Sequence, residues 1–260
     1  MRHEKINLRD NSNVYLNTYI IDDPLNQNRK RPVVVICPGG GYEYCSAREA
    51  EPIALAFNAV GYHAVVLYYS LKKLFPTALK DLSDTVCMVR DNAENWGVDT
   101  NKVIVCGFSA GGHLAASLGV FWNSEPEIHR EDDKNKPNGM ILAYPVITAG
   151  EYRHIESIEN ITNNDKALMD KVSLEKHITS DCSPAFIWHT YTDELVPVQN
   201  SLDFAMALAN KKIQTELHIF PDGRHGLSLA NEWVSGSEKG ILPDLHRWVD
   251  MAERWIRNLK

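Results

Sequence analysis

Residues 102–119 constrain the fold more than any other part of the chain, because they must change from strand to helix within a few residues. A β-branched run at 103–105 leads into Gly-Phe-Ser-Ala-Gly, and an Ala- and Leu-rich stretch begins immediately after it. Glycines two residues before and after Ser109 leave room for a tight turn, which exposes the serine hydroxyl above the sheet edge. The helix N-terminus behind Ser109 favours negative charge, so the pattern is typical of a nucleophile that attacks a carbonyl.

Strand-like and helix-like segments alternate along the chain, which predicts an α/β fold with a mostly parallel, doubly wound sheet. Several strand candidates are continuous apolar runs, as expected where helices cover both faces of a sheet. The predicted strands are 14–21, 33–37, 63–69, 102–106, 139–144, 185–190 and 215–220. The predicted helices are 48–60, 78–96, 110–121, 197–211 and 243–258.

We expect residues 1–260 to form one domain that contains an insertion. The stretch 147–183 has no strong strand signal, and a structureless loop of that length is uncommon in a compact domain unless it is functional. We therefore interpret 147–183 as a small helical cap or lid over the site. The apolar residues Trp122, Trp233 and Leu242 are each compatible with a place in the cap, in the core or in a dimer interface. The sequence is therefore also compatible with a homodimer.

Composition restricts the partners and the compartment. The net charge of −7 argues against nucleic acid as a partner, because phosphate binding needs a basic surface. No apolar run of about 18 residues is present, which argues against a membrane-spanning helix. The first residues have no apolar core typical of a secretory signal. The five cysteines are scattered without a Cys-x-x-Cys pair, so we expect a reduced, cytoplasmic protein.

A catalytic serine needs a general base, and that base needs an acid to orient it. In doubly wound hydrolases these residues follow in the order Ser, Asp or Glu, His, each on a loop after a strand. The strand candidate 185–190 leads to Asp193, and the candidate 215–220 leads to a glycine-flanked histidine, His225. We therefore predict that Ser109, Asp193 and His225 form a catalytic triad.

Other side chains compete for these roles. His113 lies one helical turn after Ser109, where a hydrogen-bonded structural role is the better interpretation. Three further histidines lie within strands or on the last helix: His189, His218 and His246. Asp222 is only three residues from His225 and is better explained as capping a turn, whereas Glu194 is a weaker alternative to its neighbour Asp193.

The segment Ile-Cys-Pro-Gly-Gly-Gly-Tyr at 36–42 follows a predicted strand and can supply donors to an oxyanion. Consecutive glycines let backbone N–H groups approach a substrate closely. We predict that the N–H groups of Gly40, Gly41 and Ala110 form the oxyanion hole. A flexible turn is the alternative, and a phosphate-binding loop is disfavoured because the Lys-Ser/Thr pair of a P-loop is missing.

Together these motifs resemble the serine esterases of the α/β-hydrolase superfamily, and in particular the acetyl-xylan-esterase-like esterase/lipase group related to hormone-sensitive lipase. The resemblance spans about 30–230 and rests on Pro-Gly-Gly-Gly-Tyr, Gly-Phe-Ser-Ala-Gly-Gly-His, Thr-Asp-Glu-Leu-Val-Pro and Gly-Arg-His-Gly. It implies the α/β-hydrolase fold, the same three triad residues and a glycine loop at 39–41. Pro38 departs from the pattern, because many relatives have a histidine there that helps to hold the loop.

Tyr42, Tyr69 and Arg48 are the predicted substrate-binding residues, since they lie at loop or strand ends near the proposed site. The alternatives are that the tyrosines belong to the core and that Arg48 and Glu49 form a solvated or loop-bracing pair. No histidine cluster with metal-ligand spacing is present, so we expect neither a catalytic metal nor another cofactor.

The predicted function is hydrolysis of short-chain carboxylic esters through an acyl-enzyme intermediate. Acetyl esters of sugars or xylo-oligosaccharides are implied by the family resemblance alone. Two alternatives stay open: a small-molecule amidase or formamidase that uses the same triad, and a non-catalytic ligand-binding protein of this fold.

Overall fold

The computed structural model describes residues 1–9, 13–25 and 28–259. Within these residues one sheet is built from eight strands: β1 (Lys5–Asn7), β2 (Tyr15–Tyr19), β3 (Arg31–Cys37), β4 (His63–Tyr68), β5 (Val98–Phe108), β6 (Gly139–Ala143), β7 (Ala185–Thr190) and β8 (Thr215–Phe220). Their spatial order is β1-β2-β4-β3-β5-β6-β7-β8. The pairs β1–β2 and β2–β4 are antiparallel, and the other neighbours are parallel. This confirms the predicted, mostly parallel α/β sheet.

Helices cover both faces of the sheet. They are α1 (Glu51–Ala59), α2 (Thr77–Asp91), α3 (Ala93–Trp96), α4 (Ala110–Phe121), α5 (Ile155–Thr162), α6 (Lys166–Lys171), α7 (Gln199–Asn210), α8 (Pro243–His246) and α9 (Trp248–Asn258). Three 3₁₀ turns lie at Ala47–Glu49, Leu174–Lys176 and Glu238–Gly240. In the described part of the chain, no helix has the length and apolar character that a membrane crossing requires.

The side chains of β3 alternate between two buried clusters, one on each face of the sheet. Val33 and Val35 belong to a buried cluster with residues of α2 and α4, whereas Val34 and Ile36 belong to a cluster with residues of α1 and α9. Successive side chains of a strand point to opposite faces, so a strand covered on both sides must be apolar throughout. Trp122 is part of the first core, while Trp233 is exposed.

Several predicted boundaries differ from the structure. The predicted helix 78–96 is interrupted at Asn92, whose side chain donates a hydrogen bond to the Met88 carbonyl, a local bond that competes with helix continuation. The predicted helix 243–258 is divided at Arg247. The predicted helix 48–60 begins as a 3₁₀ turn, and α1 follows from Glu51. The three-residue β1 was not predicted, because it is too short to show alternation.

The stretch 147–183 contains α5, α6 and a 3₁₀ turn, and it contacts the elements that carry the glycine loop and Ser109. The Asn160 side chain donates a hydrogen bond to the Gly41 carbonyl at 2.9 Å. The Val172 carbonyl accepts one from His113 of α4 at 3.0 Å. The stretch therefore lies over the carboxyl ends of the central strands, where α/β sheets bind their ligands.

Candidate active site

Ser109 occupies a strained turn between β5 and α4. Its backbone has φ 54° and ψ −119°, a conformation that costs a non-glycine residue about 1–3 kcal/mol. A Cβ at Gly107 would lie 2.0 Å from the Gly111 carbonyl oxygen, and one at Gly111 would lie 2.1 Å from the Cys37 carbonyl oxygen. Both contacts are impossible, so the turn requires glycine at the two positions.

The structure brings the three predicted triad residues into one hydrogen-bonded chain. The Ser109 hydroxyl lies 2.8 Å from Nε2 of His225, and Nδ1 of the same ring lies 2.6 Å from Oδ2 of Asp193. Because a carboxylate can only accept, Nδ1 carries the proton and Nε2 is free to accept the serine proton. The three side chains follow β5, β7 and β8, whose carboxyl ends meet at one edge of the sheet.

Asp193 is held as an anion by its surroundings. Its Oδ1 accepts the N–H groups of Leu195 and Val196 at 3.0 and 2.9 Å. Burial raises the pKa of Asp193, but hydrogen bonds from His189 and His225 outweigh that effect and hold the pKa well below its usual range. The carboxylate is therefore charged at neutral pH and can stabilise an imidazolium on His225.

His189 is a functional neighbour that the sequence interpretation placed only within a strand. Its Nδ1 accepts a hydrogen bond from the Ser201 hydroxyl at 2.8 Å, so Nε2 carries the proton. That N–H faces the Val196 carbonyl at 2.9 Å and Oδ2 of Asp193 at 3.3 Å. In the sequence, His189 is recognisable only as a histidine near the end of a predicted strand, four residues before Asp193. That arrangement is too common to assign a role.

Asp193 should make the wild-type protein more sensitive to acid than an Asp193→Asn variant. A depressed folded-state pKa stabilises the protein above the unfolded value of about 3.9, and this contribution is lost as pH falls through the folded pKa. Between about pH 3.9 and the folded-state pKa of Asp193, we expect the free energy of unfolding to fall more steeply with decreasing pH for wild type than for Asp193→Asn. The difference in slope should reach up to about 1.4 kcal/mol per pH unit. Urea unfolding of both proteins between about pH 6 and 2.5 measures the difference, and parallel curves would contradict it.

The glycine loop has the backbone geometry that close approach to a substrate requires. Gly40 has φ +127°, and a Cβ there would lie 2.2 Å from the Tyr44 carbonyl oxygen; Gly41 has φ +65°. Among residues 1–9, 13–25 and 28–259, no acceptor engages the N–H groups of Gly40, Gly41 or Ala110. Gly40 and Gly41 line the same pocket as Ser109. The N–H groups of Gly40 and Gly41 therefore belong to residues of this pocket, and that of Ala110 belongs to the residue directly after Ser109.

Two of the predicted substrate-binding residues do not reach the pocket. Tyr42 is 3% exposed, and its hydroxyl hydrogen-bonds to Nδ1 of His113 at 2.8 Å. Tyr69 is 2% exposed, and its hydroxyl donates to the Pro38 carbonyl at 2.6 Å. The structure thus corrects the expected substrate contacts: both rings support the glycine loop from within the core. Arg48, in contrast, lines the pocket.

His113 has the structural role expected of it. Burial lowers its pKa to about 4, so the ring is neutral. Its Nε2–H donates to the Val172 carbonyl in the stretch 147–183, and its Nδ1 accepts from the Tyr42 hydroxyl. One side chain of α4 thereby connects the glycine loop with that stretch.

The pocket above Ser109 and His225 has a volume of about 300 Å³, at the lower end of the range for small-molecule sites. Its lining is polar: Glu43, Tyr44, Ser46, Arg48, Glu49, His154, Glu156 and Arg224 surround the triad, together with the aliphatic Leu195. Burial, followed by repulsion from His225, lowers the pKa of His154. The lowered pKa disfavours a positive charge on His154 beside the imidazole of His225.

Two further observations concern alternatives to this site, namely a second cavity and a metal centre. A larger cavity of about 620 Å³ lies beside His63 and Trp96, at the amino ends of the parallel strands and away from Ser109. Within the residues that the structure describes, no group of three histidine, cysteine, aspartate or glutamate side chains is arranged to hold a metal ion.

Comparison with known proteins agrees with this fold. The BD-FAE family model matches residues 20–208. Endo-1,4-beta-xylanase B of Butyrivibrio fibrisolvens is 39% identical over 225 residues, which cover 83% of this chain and 35% of that protein. An acetylxylan esterase of Xylanibacter ruminicola is 29% identical over 255 residues, covering 94% of this chain and 49% of that protein. The chain thus spans about a third to a half of the length of these curated relatives.

Solved structures match over almost their full length. The acetyl ester-xyloside bifunctional hydrolase of Caldicellulosiruptor lactoaceticus is 33% identical with a TM-score of 0.85, and the match covers 98% of this chain and 96% of that chain. The carboxylesterase Cest-2923 of Lactobacillus plantarum is 33% identical with a TM-score of 0.87, covering 99% of this chain and 97% of that chain.

Proposed function

Because the chain belongs to the BD-FAE family of α/β hydrolases, we propose that it hydrolyses short-chain carboxylic esters through an acyl-serine intermediate. The observation that carries the proposal is the hydrogen-bonded chain from Ser109 through His225 to Asp193, which opens into a small polar pocket. The names of its esterase relatives agree with this chemistry.

The reaction begins when Oγ of Ser109 attacks the ester carbonyl carbon and its proton moves to Nε2 of His225. The carbonyl oxygen becomes an oxyanion, to which the N–H groups of Gly40, Gly41 and Ala110 donate hydrogen bonds. His225 then gives the proton to the departing alcohol oxygen, and the C–O bond breaks. A water molecule attacks the acyl-serine while His225 takes its proton and returns it to Ser109, which releases the carboxylic acid.

The pocket favours a small acyl group and a hydroxylated alcohol. The pocket of about 300 Å³ at Ser109 suits a small acyl group, and an adjoining cavity of about 730 Å³, which shares Leu195, Arg224 and His225 with it, has room for the alcohol group. Charged side chains of both signs, among them Arg48, Glu156 and Arg224, line its walls and can hydrogen-bond to sugar hydroxyls. We therefore favour acetyl esters of sugars or xylo-oligosaccharides, in line with the acetylxylan esterase and acetyl ester-xyloside hydrolase among the relatives.

The test is hydrolysis of p-nitrophenyl esters from acetate to octanoate by the purified protein. We expect kcat/KM to be highest for acetate and at least about tenfold lower for hexanoate and octanoate, because a pocket wall discriminates by roughly that factor or more for each poorly fitting increment. Acetate release from acetylated xylo-oligosaccharides is measured next. p-Nitroacetanilide, the matched amide, should react far more slowly than p-nitrophenyl acetate.

Two results would contradict the proposal. If none of the esters is hydrolysed, the chain is not an esterase for these substrates. If the amide reacts as fast as the ester, the chemistry is that of an amidase on the same triad.

A further inference from the structure

A buried carboxylate, Glu49, lies between the glycine loop and the loop that carries His225. Glu49 ends the 3₁₀ turn Ala47–Glu49 and is only 3% exposed. Its Oε2 accepts the N–H of Gly39 at 2.9 Å, and its Oε1 accepts the hydroxyl of Tyr144 at 2.6 Å. The proposed chemistry gives this side chain no proton-transfer or nucleophilic role.

The Gly39 contact holds the glycine loop against the nucleophile. A Cβ at Gly39 would lie 2.7 Å from Oε2 of Glu49 and 3.1 Å from Cβ of Ser109. The loop backbone, the carboxylate and the nucleophile are therefore in direct packing contact. Gly39 donates the first N–H of the loop to Glu49. The next two N–H groups, of Gly40 and Gly41, have no acceptor among the described residues and belong to residues that line the pocket.

The Tyr144 contact extends the network to the triad histidine. The Tyr144 hydroxyl accepts the N–H of Ser228 at 2.9 Å, so its own proton must be donated to Glu49. Burial, reinforced by the nearby Glu49, raises the pKa of Tyr144, which keeps this hydroxyl a donor. The Tyr144 ring lies edge-on to His225, with 5.0 Å between ring centroids.

Together with Tyr69, Glu49 holds the start of the glycine loop, where Pro38 has no N–H to donate. Glu49 fixes the N–H of Gly39, and the Tyr69 hydroxyl fixes the Pro38 carbonyl. The single peptide group that joins Pro38 to Gly39 is thereby held at both its carbonyl and its N–H by buried side chains.

We propose that Glu49 is a positioning residue for catalysis, which orients the oxyanion loop through Gly39 and links it to the His225 loop through Tyr144. This inference rests on the proposed ester hydrolysis. Glu49 also lines the pocket, but its two carboxylate oxygens accept from Gly39 and Tyr144. We therefore expect its effect in stabilisation of the tetrahedral species rather than in substrate binding.

The decisive variant is Glu49→Gln, which preserves the shape of the side chain. Both partners donate to Glu49, but an amide has only one acceptor oxygen, so one of the two donors meets an NH₂ group. We expect kcat for p-nitrophenyl acetate to fall by about 10- to 100-fold with KM changed less than about twofold, because misplaced oxyanion donors weaken only transition-state stabilisation. Glu51→Gln, the same change at an exposed position on α1, should leave kcat within about twofold.

A boronic acid gives a readout that a purely structural brace would not change. Ser109 Oγ adds to boron while its proton moves to His225, and a boron-bound oxygen occupies the oxyanion position. We expect the affinity of a small alkylboronic acid for Glu49→Gln to fall by the same factor as kcat, while acetate, the product, binds equally well. Tyr144→Phe, which keeps the Gly39 contact, should weaken boronate binding less and serves as the second variant if Glu49→Gln does not fold.

Three results would overturn the inference. Unchanged boronate affinity, with only a lower melting temperature, would show that Glu49 stabilises the fold alone. A higher kcat would show that the charge of the carboxylate opposes the oxyanion more than its hydrogen bonds help. An equal loss for Glu51→Gln would show that the effect is not specific to the network. If wild type hydrolyses no ester, the proposed function fails, whereas the boronate affinities still decide the role of Glu49.

Discussion

Ser109→Ala is expected to lower kcat for p-nitrophenyl acetate by about 10⁶-fold, as for loss of the nucleophile in serine hydrolases generally. The substitution removes the atom that forms the acyl intermediate, while the donors at Gly40, Gly41 and Ala110 stay in place. An alanine side chain retains the Cβ of the serine, so the turn and the pocket should be unchanged. Initial rates with highly purified protein measure the loss, and circular dichroism verifies the fold.

Ser109→Gly is the matched control for the strain in this turn. It removes the hydroxyl and also the Cβ that is held at φ 54° and ψ −119°. We expect it to be equally inactive, but to have a free energy of unfolding about 1 kcal/mol above that of the alanine variant, because glycine adopts positive φ without steric cost. More than about 1% residual activity in either variant would show that Ser109 is not the nucleophile.

The sequence predicted the parts of the site that depend on local pattern and chain order. The turn around Ser109 is readable because its glycines are forced by contacts within a few residues. Asp193 and His225 could be placed because each follows a predicted strand, and parallel strands bring their carboxyl ends to one edge. The sheet brings the two loops to that edge, and the turns after β7 and β8 then place the side chains within hydrogen-bond distance.

The residues that the sequence misassigned depend on packing between distant segments. Tyr42 is covered because its hydroxyl meets His113, 71 residues away, and His113 in turn meets Val172, a further 59 residues along the chain. A tyrosine at the end of a strand is equally compatible with a pocket wall and with the core. The packing of the stretch 147–183 against α4 decides between the two, and local periodicity does not predict that packing.

The sequence left the role of Glu49 open between a substrate contact and a solvated or loop-bracing pair with Arg48, and it gave His189 no role. Glu49 lies in a polar stretch beside Arg48 and Glu51, where a solvated carboxylate is the ordinary expectation. Its partner Tyr144 is 95 residues away. His189 is recognisable only once the turn after β7 brings Asp193 back to within 3.3 Å of it. Sequence periodicity shows neither the distant hydrogen bond of Glu49 to Tyr144 nor the contacts that the turn after β7 gives His189.

Asp193→Asn is expected to lower kcat by about 10⁴-fold through a change of tautomer at His225. We expect the amide oxygen to take the Oδ1 position, because the backbone N–H groups of Leu195 and Val196 donate there and cannot become acceptors, whereas the imidazole rings at Oδ2 can change tautomer. Its NH₂ group must then replace Oδ2 and donate to Nδ1 of His225. The imidazole proton moves to Nε2, which can no longer accept the proton of Ser109.

Kinetics combined with ¹⁵N NMR of the imidazole rings test this mechanism, since the protonated nitrogen of His225 should change from Nδ1 to Nε2. Glu194→Gln is the matched comparison, because Glu194 is the neighbouring acid and is exposed; it should retain kcat within about twofold. If Glu194→Gln lost activity and Asp193→Asn kept it, the orienting acid would be Glu194. If Asp193→Asn were inactive with an unchanged His225 tautomer, loss of charge would be the cause, because the imidazolium formed during attack would then lack its counter-ion.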